Sequence, residues 1–176
     1  MKKVFIGLGI VLLAAGAAYF IFEVEVSGAH YESAAYGISF RYPEGYLLSE
    51  AERGNAERFH YAIVMVRADE ANPPIGGEGP RAVTIDVYQN NLDNLSLADW
   101  LDTGQSNFKL GDGTKSAATV DGVDAIRYRW SGLYEGETTA FLHRGSIIAI
   151  SATFFENTDE QYWVYEDLLK SIELER

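Results

Sequence analysis

Lys115-Ser-Ala-Ala-Thr-Val120, Asp121-Gly122 and Val123-Asp-Ala-Ile-Arg-Tyr-Arg-Trp130 form two β-patterned runs around an Asp-Gly dipeptide. A type I′ hairpin turn needs positive φ at both central residues, and Asp-Gly meets that demand at little cost. Further on, Thr138-Thr-Ala-Phe-Leu-His143 and Ser146-Ile-Ile-Ala-Ile-Ser-Ala-Thr-Phe-Phe155 flank Arg144-Gly145. That is a weaker turn signal, because only the Gly takes positive φ freely. Glu135-Gly136 marks a longer turn between the two hairpins. The stretch reads as four successive strands of an antiparallel meander.

The strand faces predict where this meander sits. Ile126, Tyr128 and Trp130 share one face, and Val123 and Ala125 share the other with Arg127 and Arg129. In the last strand Ile148, Ile150, Ala152 and Phe154 alternate with Ile147, Ala149, Ser151 and Phe155. A sheet wet on one side alternates apolar with polar, so an apolar pattern on both faces predicts cover on both sides. Helices are the expected cover. One follows directly: Thr158 reads as its N-cap, with Asp159 and Glu160 in the first turn and Gln161 completing a capping box. Tyr162, Tyr165, Leu168, Leu169 and Ile172 recur at helical spacing as the buried stripe, and Trp163 lies off it.

Three segments carry a resemblance. Tyr36-Gly-Ile-Ser-Phe-Arg-Tyr-Pro43, Gly122-Val-Asp-Ala-Ile-Arg-Tyr128 and Leu168-Leu-Lys-Ser-Ile172 resemble the PsbP-like superfamily. That superfamily takes its name from an extrinsic photosystem II subunit and is similar to the Mog-type Ran-binding import factors. The resemblance spans roughly residues 36–174 and implies an α+β fold, an antiparallel sheet flanked by helices in an α/β/α sandwich. The motifs are structural: a strand running into a Pro turn, a hairpin and a helix end. No functional residue carries over, and photosystem or Ran binding would be analogy of fold alone.

At the N-terminus, Met1-Lys-Lys3 precedes an uncharged run from Val4 to Phe22, long enough to cross a bilayer core once. Tyr19, Phe20 and Phe22 lie where an interfacial aromatic belt would fall, and the two lysines favour a cytoplasmic N-terminus. The expected organisation is a transmembrane anchor over 1–22, a polar linker over 23–35 and a domain over 36–176 outside the membrane. The rival is a signal peptide cleaved near Ala15-Gly-Ala17, although Tyr-Phe-Ile-Phe would then open the mature chain. Gly7-Leu-Gly9 lies inside the apolar run with no strand before it, so it is no nucleotide loop.

The chain has 176 residues and a formal charge of −12. Of its 14 Lys and Arg, Lys2 and Lys3 precede the apolar run and all 26 acids follow it, so the rest of the chain carries −14. Such a surface disfavours nucleic acid and anionic lipid headgroups and suits a basic partner or divalent cations. With no Cys, disulfides, cysteine catalysis, Cys-based zinc sites and lipidation at a lipobox are excluded.

Other strands are expected at Ile38–Tyr42, turned by Pro43-Glu-Gly45 toward Tyr46-Leu-Leu48, then at Phe59–Val66 and Ala82–Tyr88, with residues 69–80 as a Pro- and Gly-rich loop between the last two. Ser96-Leu-Ala-Asp99 is a capping box, and Leu95 with Trp100 forms a hydrophobic staple. Leu97, Trp100 and Leu101 face the sheet, and Phe108 extends that contact.

No catalytic constellation assembles. His30, His60 and His143 are scattered, with no His-x-x-x-His or Glu-x-x-His pair, and no Gly-x-Ser-x-Gly elbow occurs. Asn90, Asn91, Asp93 and Asn94 lack the spacing of a calcium loop. No cofactor is expected. The candidate interaction residues are Trp163, as an exposed aromatic anchor, and Arg127 with Arg129, which either hold an anion or pair with nearby carboxylates. Two readings follow. One is a non-catalytic accessory domain of the prokaryotic envelope, bound to the membrane by its N-terminal helix and to an envelope protein by its surface. The other is a small-molecule or ion-binding domain with a cleft between sheet and helix.

Overall fold

The computed structural model describes residues 28–55, 59–72, 79–90, 94–103 and 115–176. The N-terminal apolar run and Phe108 lie outside the described residues. Among the described residues, no helix is long and apolar enough to cross a membrane.

Twelve elements follow in chain order: β1 (Gly28–Ser33), β2 (Ile38–Pro43), β3 (Tyr46–Gly54), β4 (Phe59–Arg67), β5 (Ala82–Gln89), α1 (Leu97–Asp102), β6 (Ser116–Val120), β7 (Val123–Ser131), β8 (Glu135–His143), β9 (Ser146–Phe154), α2 (Glu160–Ser171) and β10 (Glu173–Leu174). Seven strands form one antiparallel sheet in the order β3-β4-β5-β9-β8-β7-β6. The other three form a small sheet, β1-β2-β10.

The meander from β6 to β9 has the expected turns. Asp121 (φ 45°) and Gly122 (φ 77°) close the first hairpin, and Arg144 (φ 48°) and Gly145 (φ 75°) close the last, so Arg144 takes the strained conformation. The middle turn is displaced. Glu135 and Gly136 belong to β8, pairing with Ser131 and Trp130, and the chain reverses through Gly132–Tyr134. Gly136 is set by packing, because a Cβ there would lie inside the Trp130 indole.

Both faces of the large sheet are covered. On one face Ile63, Met65, Val83, Ile85, Ile148, Ile150 and Phe154 join Val164, Tyr165 and Leu168 of α2 and Ile38 and Phe40 of the small sheet in one core. On the other, Trp100 and Leu101 of α1 pack on Tyr128, Ala140, Ile147 and Ala149. The cover is thus α2 plus a small sheet on one side and a short helix on the other. Ile126 is only half-buried, whereas Tyr128 on the same face of β7 is fully buried. Phe155 falls one residue past β9 and is exposed.

Two local readings shift at α2. Its N-cap is Asp159, not Thr158. Asp159 accepts from the Gln161 and Phe155 N–H groups at 3.1 Å each and pairs with Arg81, so one carboxylate ties the start of α2 to the residue before β5 and the residue after β9. Gln161 cannot complete a capping box because its Oε1 turns inward to accept from the buried Tyr46 hydroxyl at 2.8 Å. The buried stripe runs through Gln161, Val164, Tyr165 and Leu168, leaving Tyr162 and Leu169 half-buried. Ser96 does cap α1, accepting from Asp99 N at 3.1 Å. The segment read as linker holds β1, which carries His30 and pairs with β2.

Ile150 lies at the centre of β9 with no solvent exposure, between β5 and β8. Ile150→Ala should cost about 2–5 kcal/mol, the range for a cavity in a packed core. Denaturant unfolding measures it, and an unchanged midpoint would make β9 peripheral.

Candidate functional site

Arg127 and Arg129 stand on the β7 face that looks toward α2, and carboxylates meet them there. Glu137, across the strand pair on β8, accepts from Arg127 Nε and from Arg129 Nε, the latter at 3.1 Å. Glu166 of α2 accepts from Arg127 Nη2, and the Tyr162 hydroxyl lies 3.5 Å from the same nitrogen. The Arg127 guanidinium also covers the Tyr165 ring at 5.3 Å, and Arg129 covers Tyr162 at 6.0 Å. The structure therefore brings the two arginines together, with their carboxylates already in place. Glu137 is 5% exposed, a buried carboxylate paired with two guanidiniums.

Titration within this cluster follows from its contacts. Burial raises the Glu166 carboxyl, but hydrogen bonds from Arg127 and Tyr162 outweigh it and hold the group below its ordinary value of 4.5. Burial pushes the Tyr165 phenol well up, against its hydrogen bond of 2.7 Å with Thr139. Burial likewise raises Asp159, and the Phe155 and Gln161 N–H groups together with Arg81 bring it below the usual carboxylate range.

Beside the cluster is an open cleft of about 290 Å³, between β6 and the C-terminal half of α2. Ala118, Val120, Leu169 and Ile172 give it apolar walls, and Arg127, Glu166 and Lys170 line its polar side. Arg127 contributes to the cleft and Arg129 does not.

Trp163 is 55% exposed in the first turn of α2, and its ring meets Tyr162 edge-on at 5.7 Å. It is not alone. Tyr162 packs on Phe154 at 5.1 Å, the next residue, Phe155, is 64% exposed, and Phe155 meets Tyr134 at 5.6 Å. Arg81 lies over Phe155 at 4.6 Å, and Leu133, beside Tyr134, is exposed. These residues come from the β7–β8 turn, the end of β9 and the start of α2, which strand pairing places at one end of the sheet. The sequence singles out only Trp163, through helical spacing. Phe155 alternates as a core residue, and its exposure depends on where β9 stops.

A second polar group has no sequence motif to mark it. His60 Nε2 lies 2.6 Å from Asp86 Oδ1, Thr84 donates to Asp86 Oδ2 at 3.1 Å, and His60 stacks on Tyr88 at 4.3 Å. Asp86 is thereby satisfied at 4% exposure on the α1 face. Among the described residues, no three His, Asp or Glu side chains converge as a metal site.

No protein-family model matches the chain, and no curated protein matches it in sequence. Solved structures do match in shape. The chain is similar to the cyanobacterial PsbP (CyanoP) of Synechocystis, at 13% identity and a TM-score of 0.55, over 87% of this chain and 96% of that one. It is also similar to a protein of Bacteroides thetaiotaomicron, at 12% identity and a TM-score of 0.50, over 85% of this chain and 49% of that one. The fold is PsbP-like: mainly antiparallel sheet with two helices. At such identities the likeness extends to the fold alone.

A carboxyl held low in the folded state adds stability above its ordinary pKa, and that stability is lost as pH falls through the folded value. Glu166 and Asp159 both have this sign. Unfolding midpoints should drop as pH falls below about 4.5, the ordinary Glu value, and Glu166→Gln should flatten part of that drop. Identical pH profiles for the two proteins would remove Glu166 from the account.

Proposed function

We propose that this chain is a non-catalytic interaction domain, held outside a prokaryotic cytoplasmic membrane by its N-terminal apolar segment and docking an envelope protein there. The observation that carries the reading is the aromatic end of the sheet. Trp163, Phe155 and Leu133 are three of the five large hydrophobics exposed among the described residues, and they gather with Arg81, Arg129 and two half-buried tyrosines. Aromatic and Arg side chains are the residue types on which interface energy concentrates. Lys2-Lys3 before the uncharged run supports the orientation, and the −14 charge of the remainder keeps it off anionic lipid.

The rival reading, a small-molecule or ion site in the sheet–helix cleft, has the open cleft in its favour. Against it, Arg127 is already neutralised by Glu137 and Glu166, so an anionic ligand would have to displace a carboxylate.

Protease added to spheroplasts expressing the intact chain should digest the domain and spare the N-terminus, and protection without lysis would contradict the orientation. Trp163→Ala should leave thermal unfolding unchanged and lower the yield of a crosslinked envelope partner at least several-fold, since truncating an interface anchor costs about 2 kcal/mol or more. A sharp fall in unfolding temperature would make Trp163 a core residue, and an unchanged crosslink yield would move the interface elsewhere.

A further inference from the structure

The large sheet has two edges, and they differ in kind. At β3 the edge residues include Glu50, Glu52 and Arg53, charges of the type that block pairing with another chain. At β6 the strand reads Ser-Ala-Ala-Thr-Val, with no charge and no Pro, and among the described residues it pairs only with β7. The hairpin fixes which of its amides point away from β7. Val120 and Val123 flank the two-residue Asp121-Gly122 turn, so they form a hydrogen-bonded pair. Alternation then turns the N–H and C=O groups of Ala118 and Ser116 toward β7, and those of Thr119 and Ala117 outward. Ala117 and Thr119 are both exposed.

The cleft of about 290 Å³ opens beside this edge. For scale, a cavity of roughly 150 Å³ holds a benzene molecule. Ala118 and Val120 share the strand face that looks into the cleft, and Leu169 of α2 with Ile172 just past its end forms the opposite wall. A strand added to β6 would present alternate side chains to this apolar groove while its backbone met Ala117 and Thr119. The mouth is not cationic in sum. Arg127 is paired with Glu137 and Glu166, and Lys170 is paired with Asp167 at 2.9 Å. Asp121 adds a further carboxylate to the lining, in a chain region that carries −14.

We infer that the outer edge of β6 and the cleft beside it bind an extended segment of a partner protein as an eighth strand, with aliphatic side chains at alternate positions and basic residues flanking them. This surface lies along the C-terminal half of α2, away from Trp163 in its first turn, and does not rest on the aromatic end as an interface.

The probe is a fluorescein-labelled peptide, Lys-Lys-Val-Ser-Val-Ser-Val-Lys-Lys, titrated against the full chain in detergent by fluorescence anisotropy. Saturable binding is expected, weakened by salt and lost when alternate backbone amides of the peptide are N-methylated. Thr119→Pro removes an outward N–H without removing a bond to β7 and should weaken binding about tenfold, as loss of a backbone hydrogen bond would. Trp163→Ala should bind the peptide like the parent chain, which separates this surface from the aromatic end. If Thr119→Pro unfolds, the N-methylated peptide on the unaltered chain still decides. No saturable binding up to millimolar peptide, or equal binding after N-methylation in both registers, overturns the inference. So does dimerisation of the chain that Thr119→Pro abolishes, since the occupant would then be a second copy.

Discussion

The structure depends on one strand being apolar on both sides. β9 presents Ile148, Ile150, Ala152 and Phe154 to one core and Ile147 and Ala149 to the other. A strand of that pattern is stable only at the centre of a sheet with cover on both faces. β5 and β8 flank it, α2 and the small sheet close one side, and α1 closes the other. The arrangement leaves the sheet's edges and the end where β9 stops as the places where unsatisfied surface remains. Both candidate surfaces lie there.

The polar groups then fix how the layers register. Arg127 reaches from the sheet to Glu166 on α2, and Tyr165 reaches back to Thr139. Asp159 joins the end of β9, the start of α2 and Arg81. Such contacts specify a helix position more than they stabilise it, because buried ion pairs roughly balance their own desolvation. They also explain why two arginines in an acidic domain need not signal an anion site.

Much of the fold was legible because its signals are local. Asp121-Gly122, the alternation in β9, the helical spacing of Tyr165 and Leu168, and Ser96 before Asp99 each act within a few residues. The misread points were set by distant partners. Thr158 and Gln161 have the spacing of a capping box, yet Gln161 is taken by Tyr46, 115 residues away. Gly136 has the composition of a turn, and only the Trp130 ring across the strand pair shows why it is Gly. β1 is mostly polar, and Tyr31 is its one large apolar side chain packed on the core, so it carries no hydrophobic period to read. The candidate surfaces divide in the same way: Trp163 is readable from helix spacing, whereas its grouping with Phe155, Leu133 and Arg81 requires the topology.

Amide hydrogen exchange on the full chain tests most directly the claim that a doubly covered β9 organises a sheet whose uncharged β6 edge is unpaired among the described residues. Exchange at Ile148 and Ile150 should proceed only through global unfolding, and exchange at Ala117 and Thr119 should be faster by orders of magnitude. Exchange of β9 at the rate of the edge strands, or strong protection of Ala117 and Thr119 in the unliganded chain, would contradict it.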